Sequence, residues 1–345
     1  MRRSSLYLAL IVSSMSWPAA AEPVPLPKES PRDDALPAGA KLRLGGTRFR
    51  CSSRIQTVTF SPDGKILAGG GDDGLVVLWD RNTGHELRSW KCPCKYLHDL
   101  AFSPDGRFLA SSSQMSKVFV WDPETGREVF NSGDNSYGYE FYAWLGARRI
   151  FLADWRSSTL QILEVPSGRE ERKWSLKTKY ARFAASPDGK QIITLGTEGE
   201  FKKDSRLFFW DILANEPAKK FELPNPAGLP YGSIGHMVFS PDGQYFATTT
   251  DGGIVIWDAQ TGKIAHHYPY PNRIFAFFLN NRFLLTSGGL SANILGVDSG
   301  KILRSCSTAS NGISWGIISA AVTPDGQTLA LPKFTLSAWN SLTSL

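Results

Sequence analysis

Cysteine and histidine are scarce in this chain of 345 residues, which holds four of the first and five of the second. His85, His98, His236, His266 and His267 form no metal-ligand spacing, and no further cysteine pair completes a zinc knuckle with Cys92 and Cys94. Cys92-Pro93-Cys94 also lacks the two-residue spacer and the histidine of a haem attachment site. Basic charge is not concentrated: the net +6 is scattered, with only short pairs such as Lys202-Lys203 and Lys219-Lys220. A nucleic-acid-binding face needs clustered Lys and Arg, so that class is excluded. A Gly-x-Ser-x-Gly nucleophile turn is missing too. The apolar stretch Leu6 to Trp17, about twelve residues, is too short to cross roughly 30 Å of hydrocarbon as a helix. No cofactor and no metal are expected.

That short stretch has another reading. Arg2 and Arg3 precede it and Ala19-Ala20-Ala21 follows, the three-part pattern of a secretory signal peptide over residues 1–21, cut before Glu22. Loss of Arg2 and Arg3 would take the charge from +6 to +4. No cysteine follows the small residues, so a lipid anchor is not expected. The next segment, 22–40, carries Pro23, Pro25, Pro27, Pro31 and Pro37 and reads as an extended tether. The folded region is then 41–345. Its 42% hydrophobic content is ample for a core, while 32 Gly and 21 Pro call for many turns.

Self-similarity organises that region. Ser61-Pro62-Asp63-Gly64 recurs at Ser103, Ser186 and Ser240, and Thr323-Pro324-Asp325-Gly326 is a variant. Proline pre-sets φ, Asp favours the bend and Gly accepts the exit geometry, so each is a tight turn. Alternating apolar residues precede it and a short strand follows, which makes hairpins. The repeated acids Asp63, Asp105, Asp188, Asp242 and Asp325 are therefore read as structural rather than catalytic. A second marker comes later in each unit: Trp79-Asp80, Trp121-Asp122, Trp210-Asp211, Trp257-Asp258 and a relaxed Trp339-Asn340. Thr83-Gly84, Thr125-Gly126, Ser167-Gly168, Thr261-Gly262 and Ser299-Gly300 form a third.

This order resembles the WD-repeat, G-beta-like family of β-propellers, and the resemblance runs from about residue 41 to the end. Two degenerate units fill the gaps. Leu145-Gly146 and Leu163-Glu164 stand in for the markers of one, Asn280-Asn281 and Gly296-Val297 for those of the other. Markers near 79, 121, 163, 210, 257, 296 and 339 give seven units at the spacing of a four-stranded blade of about 40–45 residues. The expectation is an all-β, seven-bladed propeller. The resemblance implies that the last blade borrows its outer strand from the N-terminal side, and Lys41 to Arg50 is the spare segment for closing the ring. Asp73 and Asp251, six residues before their Trp, match an Asp that in the family joins a His, a Ser or Thr and that Trp in a hydrogen-bonded network. The His is missing: Cys51 and Pro93 hold its place. Apolar packing is expected to carry the blades instead.

In the family fold the links between blades share a face, the usual ligand side, with the loops between second and third strands. Those links carry Tyr96, Tyr137, Tyr231, Tyr268, Tyr270 and Trp315, with Arg54 and Arg273 nearby. Tyr, Trp and Arg dominate interface energetics, so these are candidate contacts with a protein or peptide partner. The competing reading is that they pack between blades. The same face should carry the insertion Thr197 to Arg206. Cys51, Cys92, Cys94 and Cys306 fall in or near such links. An oxidising compartment favours a bridge, with Cys51 to Cys92 or Cys94 preferred over four free thiols. The functional expectation is a non-catalytic scaffold, monomeric, periplasmic or secreted. The alternatives are a hydrolase or lactonase with a metal in the central channel, and a glycan-binding platform.

Overall fold

The computed structural model describes residues 7–12, 49–113, 117–132, 139–154, 159–175, 179–197, 205–211, 217–222, 236–250, 252–270, 273–278, 281–288, 291–307, 319–323 and 329–333. Among them, six four-stranded antiparallel sheets are each built from four consecutive strands. Blade 1 spans residues 55–91, blade 2 97–131, blade 3 139–175, blade 4 179–222, blade 5 237–268 and blade 6 273–307.

The burial of each strand follows from its place in the blade. In blade 1 the third strand, Leu75–Asp80, reads LVVLWD and its four central residues are buried, because neighbouring blades cover both of its faces. The fourth strand, Glu86–Lys91, reads ELRSWK and lies largely exposed at the rim. Apolar clusters sit between blades. One joins Leu78 of blade 1 to Leu97, Leu109 and Trp121 of blade 2. Another joins Phe209 of blade 4 to Phe246 and Trp257 of blade 5.

The expected blade count is corrected. Six blades, not seven, have the repeating build. The sheet between blades 6 and 1 is a composite, ordered Arg50–Cys51, Tyr7–Val12, Leu329–Lys333, Ala321–Val322. The relaxed marker Trp339-Asn340 lies outside the described residues. Of the expected closing segment Lys41 to Arg50, Phe49 and Arg50 lie among the described residues. Leu329–Lys333 pairs with Tyr7–Val12, and only Arg50–Cys51 adds an outer edge to it. The continuous apolar run at the N-terminus suits a buried strand as well as a leader, and charge and length alone do not separate the two. Phe49 nevertheless ties this edge to blade 1. Its amide donates to Gly84 O at 2.8 Å, and its ring meets Trp79 at 6.4 Å, edge to face.

Candidate functional site

Antiparallel order puts the turns after first and third strands on one side of the ring. The turns after second strands and the links between blades lie on the other. The first side, the turn face, is built by repetition. Ser61 Oγ donates to Asp63 Oδ1 at 2.6 Å, the amide of Lys65 donates to the same oxygen at 3.0 Å, and the amide of Ile66 donates to Ser61 Oγ at 2.9 Å. The lock recurs at Ser103–Asp105, Ser186–Asp188 and Ser240–Asp242. The second marker adds another: the Thr83 amide and hydroxyl both donate to Asp80 Oδ1, at 2.7 and 2.8 Å, and Thr261 does the same at Asp258. The Ser61 hydroxyl holds the Asp63 carboxyl below its ordinary range, and the Thr261 hydroxyl does so for Asp258. These carboxylates are ionised and committed to backbone geometry.

The marker tryptophans are buried between blades. Trp121 Nε1 donates to Ser111 Oγ, Trp210 Nε1 to Thr194 Oγ1 and Trp257 Nε1 to Thr248 Oγ1, each at 2.9 Å. The Trp and Ser or Thr pairing that the resemblance implies is thus present in these three blades. In blade 1 the equivalent residue is Gly69, where an added Cβ would stand 2.7 Å from the Trp79 ring. Asp73 takes no part. It is exposed, accepts from the Leu75 amide at 3.1 Å and pairs with Lys91. Asp251 lies outside the described residues. A second device was not anticipated. An aromatic side chain from one blade's outer strand docks on the next blade: Trp90 on Trp121 at 5.8 Å and Trp174 on Trp210 at 6.5 Å. Bulky aromatics amid charged residues in ELRSWK and EERKWS are the sequence signal for it.

The link face distributes its predicted contacts unevenly. Tyr96 is 49% exposed. Its backbone is left-handed, φ 54°, and its amide donates to Asp72 O at 2.9 Å. Four residues upstream, the Cys92 amide donates to Gly74 O at 2.9 Å, and Cys92 and Cys94 are joined by a disulfide. The preferred bridge to Cys51 is therefore not the one formed. Cys51 is a buried free thiol, and that burial pushes its pKa up to about 11. The side chain of Cys306 lies outside the described set. Tyr268 is buried, with its hydroxyl donating to Val297 O and burial pushing its pKa up to about 12. It belongs to the packing reading, as the blade 5 counterpart of Trp90. Tyr270 is half-buried against the same cluster, Arg54 is half-buried, and Arg273 is exposed at the start of blade 6. Tyr137, Tyr231 and Trp315 lie outside the described residues, as does most of the Thr197 to Arg206 insertion. Among the described residues, no group of three or more His, Cys, Asp and Glu is placed to hold a metal ion, and no helix is long and apolar enough to cross a membrane.

The turn face also carries two grooves. One, between blades 4 and 5, has a cavity of about 530 Å³ rimmed by Asp211, Asp242, Gln244, Asp258 and Gln260. The other, between blades 1 and 2, has a cavity of about 660 Å³.

An all-β ring of repeated four-stranded blades is a β-propeller. Residues 46–80, 84–122 and 230–258 match the family model described as WD domain, G-beta repeat. These stretches fall in blades 1, 2 and 5, where the Trp-Asp markers are intact. Those three stretches are therefore similar to WD repeats of the G-beta type. A stretch of 50 residues is 42% identical to a cross-pathway control WD-repeat protein 2 of Flammulina velutipes, covering 14% of this chain and 16% of that protein's length. So short a match supports the repeat type and leaves that protein's role its own.

Proposed function

We propose that this chain is an exported, non-catalytic WD-repeat scaffold whose link face holds a protein or peptide partner. The observation that carries the reading is Tyr96. A non-glycine residue with positive φ is uncommon and strained. Here the strained residue is a half-exposed tyrosine, fixed by the Asp72 carbonyl and set beside the Cys92–Cys94 bridge. An aromatic anchor held in place before binding loses little entropy on contact, which is what a docking surface needs. Arg273 is an exposed cation on the same face. The repeated Asp63, Asp188, Asp242 and Asp258, by contrast, are occupied with turns, which supports a platform over a hydrolase.

Affinity capture from an envelope or secreted fraction tests the reading, with the wild type and Tyr96→Ala run side by side. A partner retained by the first and lost from the second, at unchanged melting temperature, supports it. Equal capture by both removes Tyr96 from the site. N-terminal sequencing of the recovered chain addresses export, with Glu22 as the expected first residue. Such a cut removes strand Tyr7–Val12 and its five paired positions along Leu329–Lys333. The mature chain should then melt several degrees below the full-length one.

A further inference from the structure

We infer that the groove between blades 1 and 2 on the turn face is a second docking surface, for an extended peptide in which Lys or Arg flanks an apolar side chain. The cavity of about 660 Å³ lies within the size range of ligand clefts. Leu78 and Phe102 line it, and both are buried in the core between the two blades. One wall is Leu87, which is 52% exposed on an outer strand whose other rim residues are polar. An apolar side chain left half in water beside an open apolar recess is a place where a partner side chain gains by burial.

Charge sets the partner's sign. Asp63, Asp105 and Glu124 line the groove, against a single cation, Arg88. Asp105 turns its Oδ1 inward to Ser103 and to the Arg107 amide, which leaves its second oxygen toward the rim. Asp63 is arranged the same way, with its Oδ2 3.4 Å from the exposed Lys65. Arg88 is drawn to the Thr125 carbonyl at 3.4 Å. The groove therefore presents excess negative charge around an apolar centre, and a basic, apolar peptide complements both. The equivalent groove between blades 4 and 5 has Gln191 at the place of Ile66 and Gln260 at the place of Glu124. Fold repetition alone does not produce the apolar wall.

The test is fluorescence polarisation with a labelled octapeptide of alternating Lys and Leu, against the same peptide with Glu for Lys, using the full chain. Saturable binding of the Lys peptide that weakens with added salt, with none of the Glu peptide, is expected. Leu87→Ser should weaken binding about tenfold, and Glu124→Gln several-fold, with melting unchanged because both side chains are at the rim. No saturable binding, equal binding of both peptides, or full affinity in Leu87→Ser overturns the proposal. If Leu87→Ser melts early, Glu124→Gln alone decides. Tyr96→Ala should bind the Lys peptide like wild type, so this surface and the link face fail separately.

Discussion

On the turn face, Ser61, Ser103, Ser186 and Ser240 each close the same lock on an Asp two residues on, and neighbouring blades repeat it almost atom for atom. The described links between blades on the opposite face differ from one another. One holds Cys92–Cys94 and an exposed Tyr96, while another runs from the buried Tyr268 into the half-buried Tyr270. The repeated face is where hydrogen-bond chemistry is used up in folding. On the irregular face Tyr96 and Arg273 stand exposed, and loops on a rigid scaffold are where binding residues accumulate. The groove at Leu87 sharpens the contrast: on the repeated face, the place that departs from the repeat is the one with a ligand-like lining.

The largest effect expected comes from the backbone of the irregular face. Gly74 has φ 81°, and a Cβ there would stand 2.0 Å from Cys94 O. Gly74→Ala should cost about 3 kcal/mol or more, through both strain and collision with the link. Gly106, in a repeated turn, also has positive φ, but its nearest neighbour would be Pro62 at 3.7 Å. Gly106→Ala should cost only the conformational part, about 1 kcal/mol. Chemical denaturation of the two variants checks the difference, and equal losses would break the comparison.

Next in size is the repeated lock itself. Ser103→Ala leaves the Phe108 amide and Asp105 without their hydroxyl partner, a loss of about 1–2 kcal/mol. The locks also make stability depend on pH. The carboxyls of Asp63, Asp188 and Asp242 lie below the ordinary 3.8 in the folded state. At Asp63 the Ser61 hydroxyl is the main cause. At Asp188 and Asp242 partial burial pushes upward, and the combined hydrogen bonds outweigh it. A depressed carboxyl contributes its stability fully above the unfolded pKa and loses it as pH falls through the folded one. Melting temperature should thus be flat from about pH 5 upward and fall as pH drops below 4. The fall should be shallower in Ser61→Ala, which removes the main cause of the lowering at Asp63.

How much of this was legible follows the same division. The turn locks, the Trp-Asp markers and the stand-ins Leu145-Gly146 and Leu163-Glu164 are local chemistry repeated in sequence. The structure places Gly146 at positive φ, and the Gly168 amide on Glu164 O, as the repeat requires. The second degenerate unit was read one residue late. Gly300 bonds back to Gly296, so Leu295-Gly296 holds the Trp-Asp place. The pairing of Tyr7–Val12 with Leu329–Lys333 was not anticipated, because pairing between the two ends of a chain leaves no local trace and a continuous apolar run serves as leader or strand alike. The cysteine pairing was misread for a similar reason. Contact between Cys51 and the 92–94 link depends on how adjacent blades seat, whereas the bridge formed needs only two residues of separation. Tyr268 and Tyr96 look equivalent in sequence. Only the register, which sets Tyr268 opposite Ile254 in the outer strand of blade 5, separates a packing residue from an exposed one.

The smallest expected change has the opposite sign. Tyr96 occupies the left-handed region at φ 54°, where an L-residue with a bulky side chain pays roughly 1 kcal/mol and asparagine considerably less. Its ring is half in water, so its removal forfeits little packing. Tyr96→Asn should therefore leave the chain as stable as wild type or up to about 1 kcal/mol more stable, while weakening partner capture. A residue kept for folding would show a loss of both. Stability that rises as binding falls is the pattern of strain held at a functional site. Measured beside Gly74→Ala, it asks whether the irregular face is shaped for contact at some expense to the fold.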